Sequence, residues 1–316
     1  MPRQKKLEKI WKSGMKMQTV KIAGRKSKLA VIQTQSVIDL LKQKYKDVNF
    51  EIVKVETLGD KNLKEKLSEI GTKGLFTFEI EQMLLNGSVD MAVHSLKDMP
   101  TDFIQDLKIG AYIKRDSNKD VIVFNKDYNS IKDLPTNAKI GTSSLRREVQ
   151  IKKIGKGFEV ANIRGNIHTR LQKMKEENFD AIILAKSALT RLNLQNKLLF
   201  EELPFVSAAG QGCICVQVKK DNDKIEKMLD FLNDVETQNC VMAEREFLHT
   251  IGGGCHTPVG AYCQKVGQFY HIDAFVSSLD GKRYLSCEMK SKDSSNLGKK
   301  SAENLISKGA NEITGR

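Results

Sequence analysis

Apolar and polar positions along this chain fall into short blocks whose period switches repeatedly between that of a strand and that of a helix. Val20 to Ala23 is a compact strand signal. Ser27 then stands as an N-cap for a helix running through Leu29, Ala30, Gln33, Val37 and Leu41. Glu51 to Thr57 is the next strand. Gly74 to Asn86 carries apolar residues at Phe76, Ile80, Met83 and Leu84, with Gly87 placed to end a helix in a left-handed turn. Strands are expected again at Met91 to His94, Lys108 to Ile113, Val121 to Phe124, Lys139 to Gly141, Phe158 to Asn162 and Ala181 to Leu184, most of them separated by helix-period segments. Alternation of this kind predicts an α/β fold with buried parallel strands.

Two passages break the alternation. Arg115 to Lys119 is polar and joins two strands without a helix, and Pro204 to Gly212 is irregular before the strand Cys213 to Val218; both are expected to cross between domains. Beyond Asp234 the order changes to a helix, Glu236 to His249, then strands near Ala261 to Lys265, Tyr270 to Val276 and Tyr284 to Lys290, then a closing helix. Asp280-Gly281 is a hairpin signal between two of these strands. A chain of 316 residues exceeds what one core usually serves. The expected division is a discontinuous first domain (19–114 and 213–233), a second (118–206) and a smaller α+β third (235–316), after a basic extension (1–18).

Composition narrows the class without naming a function. A hydrophobic fraction of 40% and a charged fraction of 29% exclude general disorder. No apolar run has the length of a membrane span or a signal core, and six cysteines are too sparse for a disulfide scaffold. A reducing compartment, the cytoplasm, is the expectation. Residues 1–18 fit a frayed extension, with the remnant of an organelle leader as the alternative.

The net charge of +13 changes the picture more, because it concentrates anions near the surface. Its placement separates a solvated lysine coat from a binding site. Strand ends feed into turns that join hydroxyls to cations: Arg25-Lys26-Ser27, His94-Ser95-Leu96-Lys97-Asp98 and Thr142-Ser143-Ser144-Leu145-Arg146-Arg147. Arg164-Gly165-Asn166 and Arg170 follow another strand. In open α/β sheets ligands bind at the carboxyl ends of strands, helix N-termini there offer N–H groups to anions, and arginine adds forked recognition of carboxylates. The recurrence predicts a cationic cleft. Nucleic acid would call for aromatic platforms among the basic residues. Aromatics are only 6% of the chain and absent from these turns, so no nucleic-acid partner is expected, and no membrane.

Lys97-Asp98 sets an acid beside a base at a strand end, where the aspartate could orient a proton or stabilise a developing cation, or be an ordinary turn residue. His94 reads as a core histidine, and no second ligand at suitable spacing supports a metal. Gly252-Gly253-Gly254-Cys255-His256-Thr257-Pro258 is either a helix cap with an incidental cysteine or a backbone opened around a reactive thiol. Cys213, Cys215, Cys240, Cys263 and Cys287 read as packing residues.

From about Lys21 onward the chain resembles the porphobilinogen deaminase (hydroxymethylbilane synthase) family. The resemblance is carried by Arg25-Lys26-Ser27-Lys28-Leu29-Ala30, Gly71-Thr72-Lys73-Gly74-Leu75-Phe76, Ala92 to Pro100, Gly141 to Arg147, Arg164-Gly165-Asn166, Gly210-Gln211-Gly212 and Gly253-Gly254-Cys255. Lys28 stands where proline is frequent, Glu69 and Phe78 where lysine is frequent, and His256-Thr257 where other residues are common.

The resemblance implies two doubly wound domains like those of periplasmic binding proteins, plus a smaller α+β domain carrying the cofactor cysteine. It implies a dipyrromethane cofactor held by a thioether to Cys255, on which four porphobilinogen units are joined head to tail with loss of ammonia before hydrolysis frees hydroxymethylbilane. Porphobilinogen and the growing oligopyrrole would be the partners of a monomeric enzyme. Asp98, Lys97 and Arg25 are implied as catalytic. Cys255, Lys97, Asp98, Ser95, Thr142, Ser143, Ser144, Arg146, Arg147, Arg164 and Gly165 are implied at the cofactor, and Arg25, Ser27, Lys73, Phe76, Arg164, Arg170 and Gln211 at the substrate. The competing class is a non-catalytic binding protein of the same two-domain shape, using the cleft for a small anion and ignoring Cys255.

Overall fold

The computed structural model describes residues 19–61, 76–102, 104–126, 128–252 and 256–315. The described residues begin with β1 (Thr19–Arg25), which buries Val20, Ile22 and Ala23. The Ser27 hydroxyl accepts from the Ala30 N–H and starts α1 (Lys28–Lys44), whose buried Val37, Ile38 and Leu41 recur at helical spacing. Then follow β2 (Asn49–Val55), α2 (Phe78–Leu85), β3 (Met91–Ser95) and β4 (Leu107–Tyr112). Gly87, at φ +75°, follows the end of α2 as its position suggests. That helix begins at Phe78, because Phe76 and Thr77 form a turn, while Gly74 lies outside the described residues.

The chain next builds a second sheet: β5 (Asp120–Phe124), β6 (Lys139–Gly141), α3 (Leu145–Lys153), β7 (Glu159–Ala161), α4 (Ile167–Glu176), β8 (Ala181–Ala185), α5 (Lys186–Arg191) and β9 (Phe200–Leu203). It returns through β10 (Ile214–Lys219) and α6 (Asp223–Leu229). The closing part is α7 (Val235–Ile251), β11 (Val259–Val266), β12 (Phe269–Ser277), β13 (Tyr284–Ser291), α8 (Leu297–Ser307) and α9 (Ala310–Thr314).

Strand order is β2-β1-β3-β10-β4 in the first sheet and β7-β6-β8-β5-β9 in the second, the same plan twice. The expectation of parallel sheets needs correction at one strand in each. β10 runs antiparallel to β3 and β4, and β5 antiparallel to β8 and β9. Each is the strand that follows a crossing. A chain arriving from the other sheet enters at the carboxyl ends of the parallel strands and can only run back against them. Both sheets are covered on both faces, by clusters around Ile38, Leu41 and Val216, around Ile80 and Leu84, around Ile122 and Ile140, and around Met174 and Phe179.

The third sheet, β11-β12-β13, is fully antiparallel, with Val259 opposite Val276 and Ser277 opposite Tyr284. Gly281, at φ +73°, makes the expected hairpin turn. One face of this sheet packs on α7 and α8 around Phe247, Ile272 and Leu305, all fully buried.

The two crossings lie side by side. Arg115 Nε donates to the Gln211 carbonyl at 2.8 Å, Asp116 N–H to the Gly212 carbonyl at 3.3 Å, and Gln211 Nε2 to the Asn118 carbonyl at 2.6 Å. Gly212 sits at φ +87°, where a Cβ would come within 2.5 Å of the Ser117 carbonyl oxygen. Gly212→Ala is therefore expected to combine backbone strain with a clash against main chain, lowering the thermal midpoint by about 5 °C or more. A melting curve matching the parent would contradict this packing.

Candidate active site

The floor of the cleft is the end of β3. Residues Leu96–Asp98 form a single 3-10 turn, and fully buried Leu96 anchors it: its N–H donates to the Cys213 carbonyl at 3.0 Å and its side chain packs on Gly210. Burying Leu96 turns Lys97 and Asp98 toward solvent. Among the described residues no hydrogen bond or ion pair occupies the Asp98 carboxylate. Lys97 Nζ donates to Gln211 Oε1 at 3.4 Å. Lys97 meets solvent, but inside a recess whose walls displace much of the surrounding water. Desolvation therefore draws its pKa down to about 8, against the pull of Asp98 and with the charges of Arg147 and Arg146 acting in the same downward direction.

On the first-sheet side, Arg25 closes β1. Its guanidinium lies 4.3 Å from the Phe76 ring centroid and donates to Asp60 through Nε at 3.3 Å and Nη2 at 2.5 Å. Arg25, Ser27, Gln33, Phe76, Ser95 and Asp98 border a small cavity of about 60 Å³. Gln33 Nε2 donates to Ser95 Oγ at 2.9 Å and holds that hydroxyl against the cavity. A wider groove of about 740 Å³, bordered by Asp102, Met242, Arg245, Glu246 and His249, contains none of these groups.

Across from them, β6 and β7 end in the turns that start α3 and α4. Ser144 Oγ accepts from the Arg147 N–H, Thr142 Oγ1 from the Ser144 N–H, and Asn166 Oδ1 from the Thr169 N–H. Ser143 donates to the Ile163 carbonyl at 2.6 Å. Ser144 and Asn166 thus cap the two helix starts, while Ser143 ties its turn to the end of β7. Gly165 holds φ +118°, where a Cβ would strike Thr169, and its carbonyl accepts from Arg170 Nε at 2.8 Å. Burial lowers the Arg170 pKa to about 10, with Arg147 and Arg164 adding to the effect and Asp98 opposing it. Arg147, Arg164, Arg170, Lys97 and Asp98 therefore share one electrostatic neighbourhood drawn from both sheets.

Residues 20–227 match the family model described as "Porphobilinogen deaminase, dipyromethane cofactor binding domain", and residues 238–307 match "Porphobilinogen deaminase, C-terminal domain". The chain is 41% identical over 301 residues to the porphobilinogen deaminase of Alkaliphilus metalliredigens, covering 94% of this chain and 95% of that protein. It is 43% identical over 297 residues to that of Listeria monocytogenes serotype 4a, covering 92% and 96%. The chain belongs to the porphobilinogen deaminase family. Among solved structures, the Bordetella pertussis BvgS periplasmic VFT2 domain is similar at TM-score 0.41 and 12% identity, over 73% of this chain and 90% of that one.

As a porphobilinogen deaminase, the chain is a transferase of tetrapyrrole biosynthesis: it builds hydroxymethylbilane from porphobilinogen on a dipyrromethane cofactor. Family membership sets aside the non-catalytic binding protein. The donor set fits the cofactor, since each pyrrole unit carries an acetate and a propionate. The cations of the recess lower one another's pKa, so they repel each other until anions arrive.

Not every implied site residue falls as expected. Cys255 and Lys73 lie outside the described residues. Gly252, three residues before Cys255 in sequence, ends α7 at φ +70° with its N–H on the Leu248 carbonyl. Arg146 and Arg147, expected to pair ligand carboxylates, are both buried and share an internal partner, Asp120. A buried guanidinium without a counter-ion is too costly to persist. Asp120 itself escaped the sequence reading, because it opens the apolar strand DVIVF and looks like a strand start. Gln33 was read as part of a helix face and nothing more.

His94 is buried, and desolvation pulls its pKa to about 4, with Gln217 opposing and the Arg25 charge assisting; it is a neutral core histidine. Cys213, Cys215, Cys240 and Cys263 are buried, and burial pushes the Cys213 thiol up to about 12. Cys287 is only partly buried, on the edge strand β13. Among the described residues no helix is long and apolar enough to cross a membrane, and no cluster of His, Cys, Asp or Glu is arranged to hold a metal ion.

Proposed function

We propose that Asp98 is the catalytic carboxylate of this chain and that Cys255 carries the cofactor through a thioether. The open Asp98 carboxylate amid cations from two sheets is the observation that supports this most. The bound dipyrromethane supplies a nucleophilic pyrrole carbon on which porphobilinogen units are joined. Asp98 accepts pyrrole N–H hydrogen bonds and stabilises positive charge as ammonia departs. Lys97 and Arg25 pair carboxylates beside it. Arg164, Arg170 and the N–H groups at the starts of α3 and α4 pair carboxylates further along the recess. Ser27, Ser95, Thr142, Ser143, Ser144 and Gly165 fix the turns that present these groups, and Phe76 and Gln211 hold Arg25 and Lys97.

The three sheets correspond, in this reading, to the three domains 19–114 with 213–233, 118–206 and 235–316, and the enzyme works as a cytoplasmic monomer. With a Lys97 pKa near 8, the charged form that binds carboxylates is lost as pH rises through that value. The expected result is a kcat/KM that falls about tenfold per pH unit once pH exceeds the Lys97 pKa, which the cofactor carboxylates raise above its value of about 8 in the bare chain. Lys97→Arg keeps its charge and is expected to lose that limb. The same alkaline fall in both proteins would remove Lys97 from the binding role.

A further inference from the structure

We propose that Asp120 is a positioning residue: it never touches substrate, yet one buried carboxylate aligns both arginine forks and, through Gln211, the Lys97 ammonium. This rests on the reading of Lys97 given above. The topology puts Asp120 where it can act. Because β5 runs antiparallel, its first residue lies level with the carboxyl ends of its neighbours, opposite Ala185 at the end of β8 and Leu203 at the end of β9. That is the edge from which the recess opens.

Asp120 is fully buried, and four donor contacts converge on its two oxygens. Oδ1 accepts from Arg147 Nε at 3.0 Å, Arg147 Nη2 at 2.7 Å and Gln211 Nε2 at 3.0 Å, and Oδ2 accepts from Arg146 Nη1 at 2.7 Å. Gln211, itself 1% exposed, turns its other amide atom to Lys97. The arginines ride on α3 of the second sheet, Gln211 on the returning crossing and Lys97 at the end of β3 in the first. One carboxylate therefore fixes groups on both sides of the recess. It also leaves charge to spare, since two guanidiniums share a single negative charge, and Arg146 Nε is buried without an acceptor among the described residues. The net positive charge left over reaches Lys97, and that of Arg147 reaches Arg170.

Burial alone raises the Asp120 pKa, but Arg146, Arg147 and the Gln211 amide outweigh it and hold the carboxyl well below the usual range, so Asp120 stays ionised at every working pH. Its charge in turn supports that of Lys97.

The test compares parent, Asp120→Asn and Gln211→Leu, with every rate expressed per molecule bearing pyrrole adduct, measured with acidic dimethylaminobenzaldehyde, so that misfolded protein drops out. Asp120→Asn is expected to lower kcat/KM for porphobilinogen at least about tenfold and to move the alkaline limb toward lower pH. Gln211→Leu leaves both arginine pairs in place and removes the link to Lys97 together with the Gln211 bonds to Asp120 and the Asn118 carbonyl. It is expected to show a smaller acid-ward movement and a smaller loss in kcat/KM, because the Asp120 charge remains. A folded Asp120→Asn protein with parental constants and an unmoved limb would overturn the proposal. If that variant does not fold, an unmoved limb and parental constants in Gln211→Leu would overturn it instead. Failure of the underlying reading looks different, because Lys97→Arg would then keep the same alkaline fall as the parent.

Discussion

Asp98→Asn is expected to lose turnover by at least about a hundredfold, the scale of a positioned acid or electrostatic group, while folding normally and keeping its pyrrole adduct when assembled cofactor is supplied. The substitution preserves shape and removes charge. Asp98 is exposed and lies on a turn secured by Leu96, so its replacement removes no packing and breaks no hydrogen bond among the described residues. A stability role would therefore leave activity close to parental. A catalytic role predicts intact melting behaviour with turnover nearly gone. Loss of charge at Asp98 also withdraws its support from Lys97 and Arg170, whose pKa values should drop further. Near-parental turnover would return Asp98 to an ordinary turn residue.

Cys255→Ser is expected to have a still larger effect: no adduct and little or no hydroxymethylbilane. Serine nearly preserves volume, so a residue that only followed a helix cap would tolerate it. A hydroxyl ionises far less readily than a thiol near neutral pH and cannot replace it as the attachment nucleophile. The variant should also melt at lower temperature than the parent, because the mutually repelling cations of the recess lose the anions that bridge them. Added sulfate should recover part of that loss. Cys213→Ser, Cys240→Ser and Cys263→Ser are expected to keep the adduct, since these thiols are buried. Hydroxymethylbilane formation by Cys255→Ser at close to the parental rate would exclude attachment at this position.

Much of the fold is legible in the chain because its strands are short, apolar and punctuated by polar turns. Lys139–Gly141 matches its expected bounds, and Ser27 and Gly87 mark helix ends by local chemistry that needs no tertiary context. The direction of β5 and β10 was not legible. It depends on where the crossings enter, and a buried apolar strand reads alike in either direction. The site divides the same way. Turns rich in arginine and serine announce a cationic recess, and Lys97-Asp98 stands out at a strand end. What each arginine is paired with depends on residues distant in sequence: Asp120 lies 26 and 27 positions from its arginine partners, and Asp60 lies 35 from Arg25. Ser27 and Ser144, expected to face ligand, cap helices first, because the N–H groups of the first turn need acceptors before any ligand arrives.

The central claim is that chemistry here runs on a cofactor built from the substrate's own pyrrole and anchored at Cys255, and the intact mass of active protein tests it most directly. The protein should be heavier than its sequence by about two pyrrole units, the expected product of attack by a reactive thiolate. Proteolysis should place that mass on the peptide containing Cys255, and acidic dimethylaminobenzaldehyde should stain it as a pyrrole. Fully active protein with an unmodified mass, or with its adduct on any other peptide, would contradict the account.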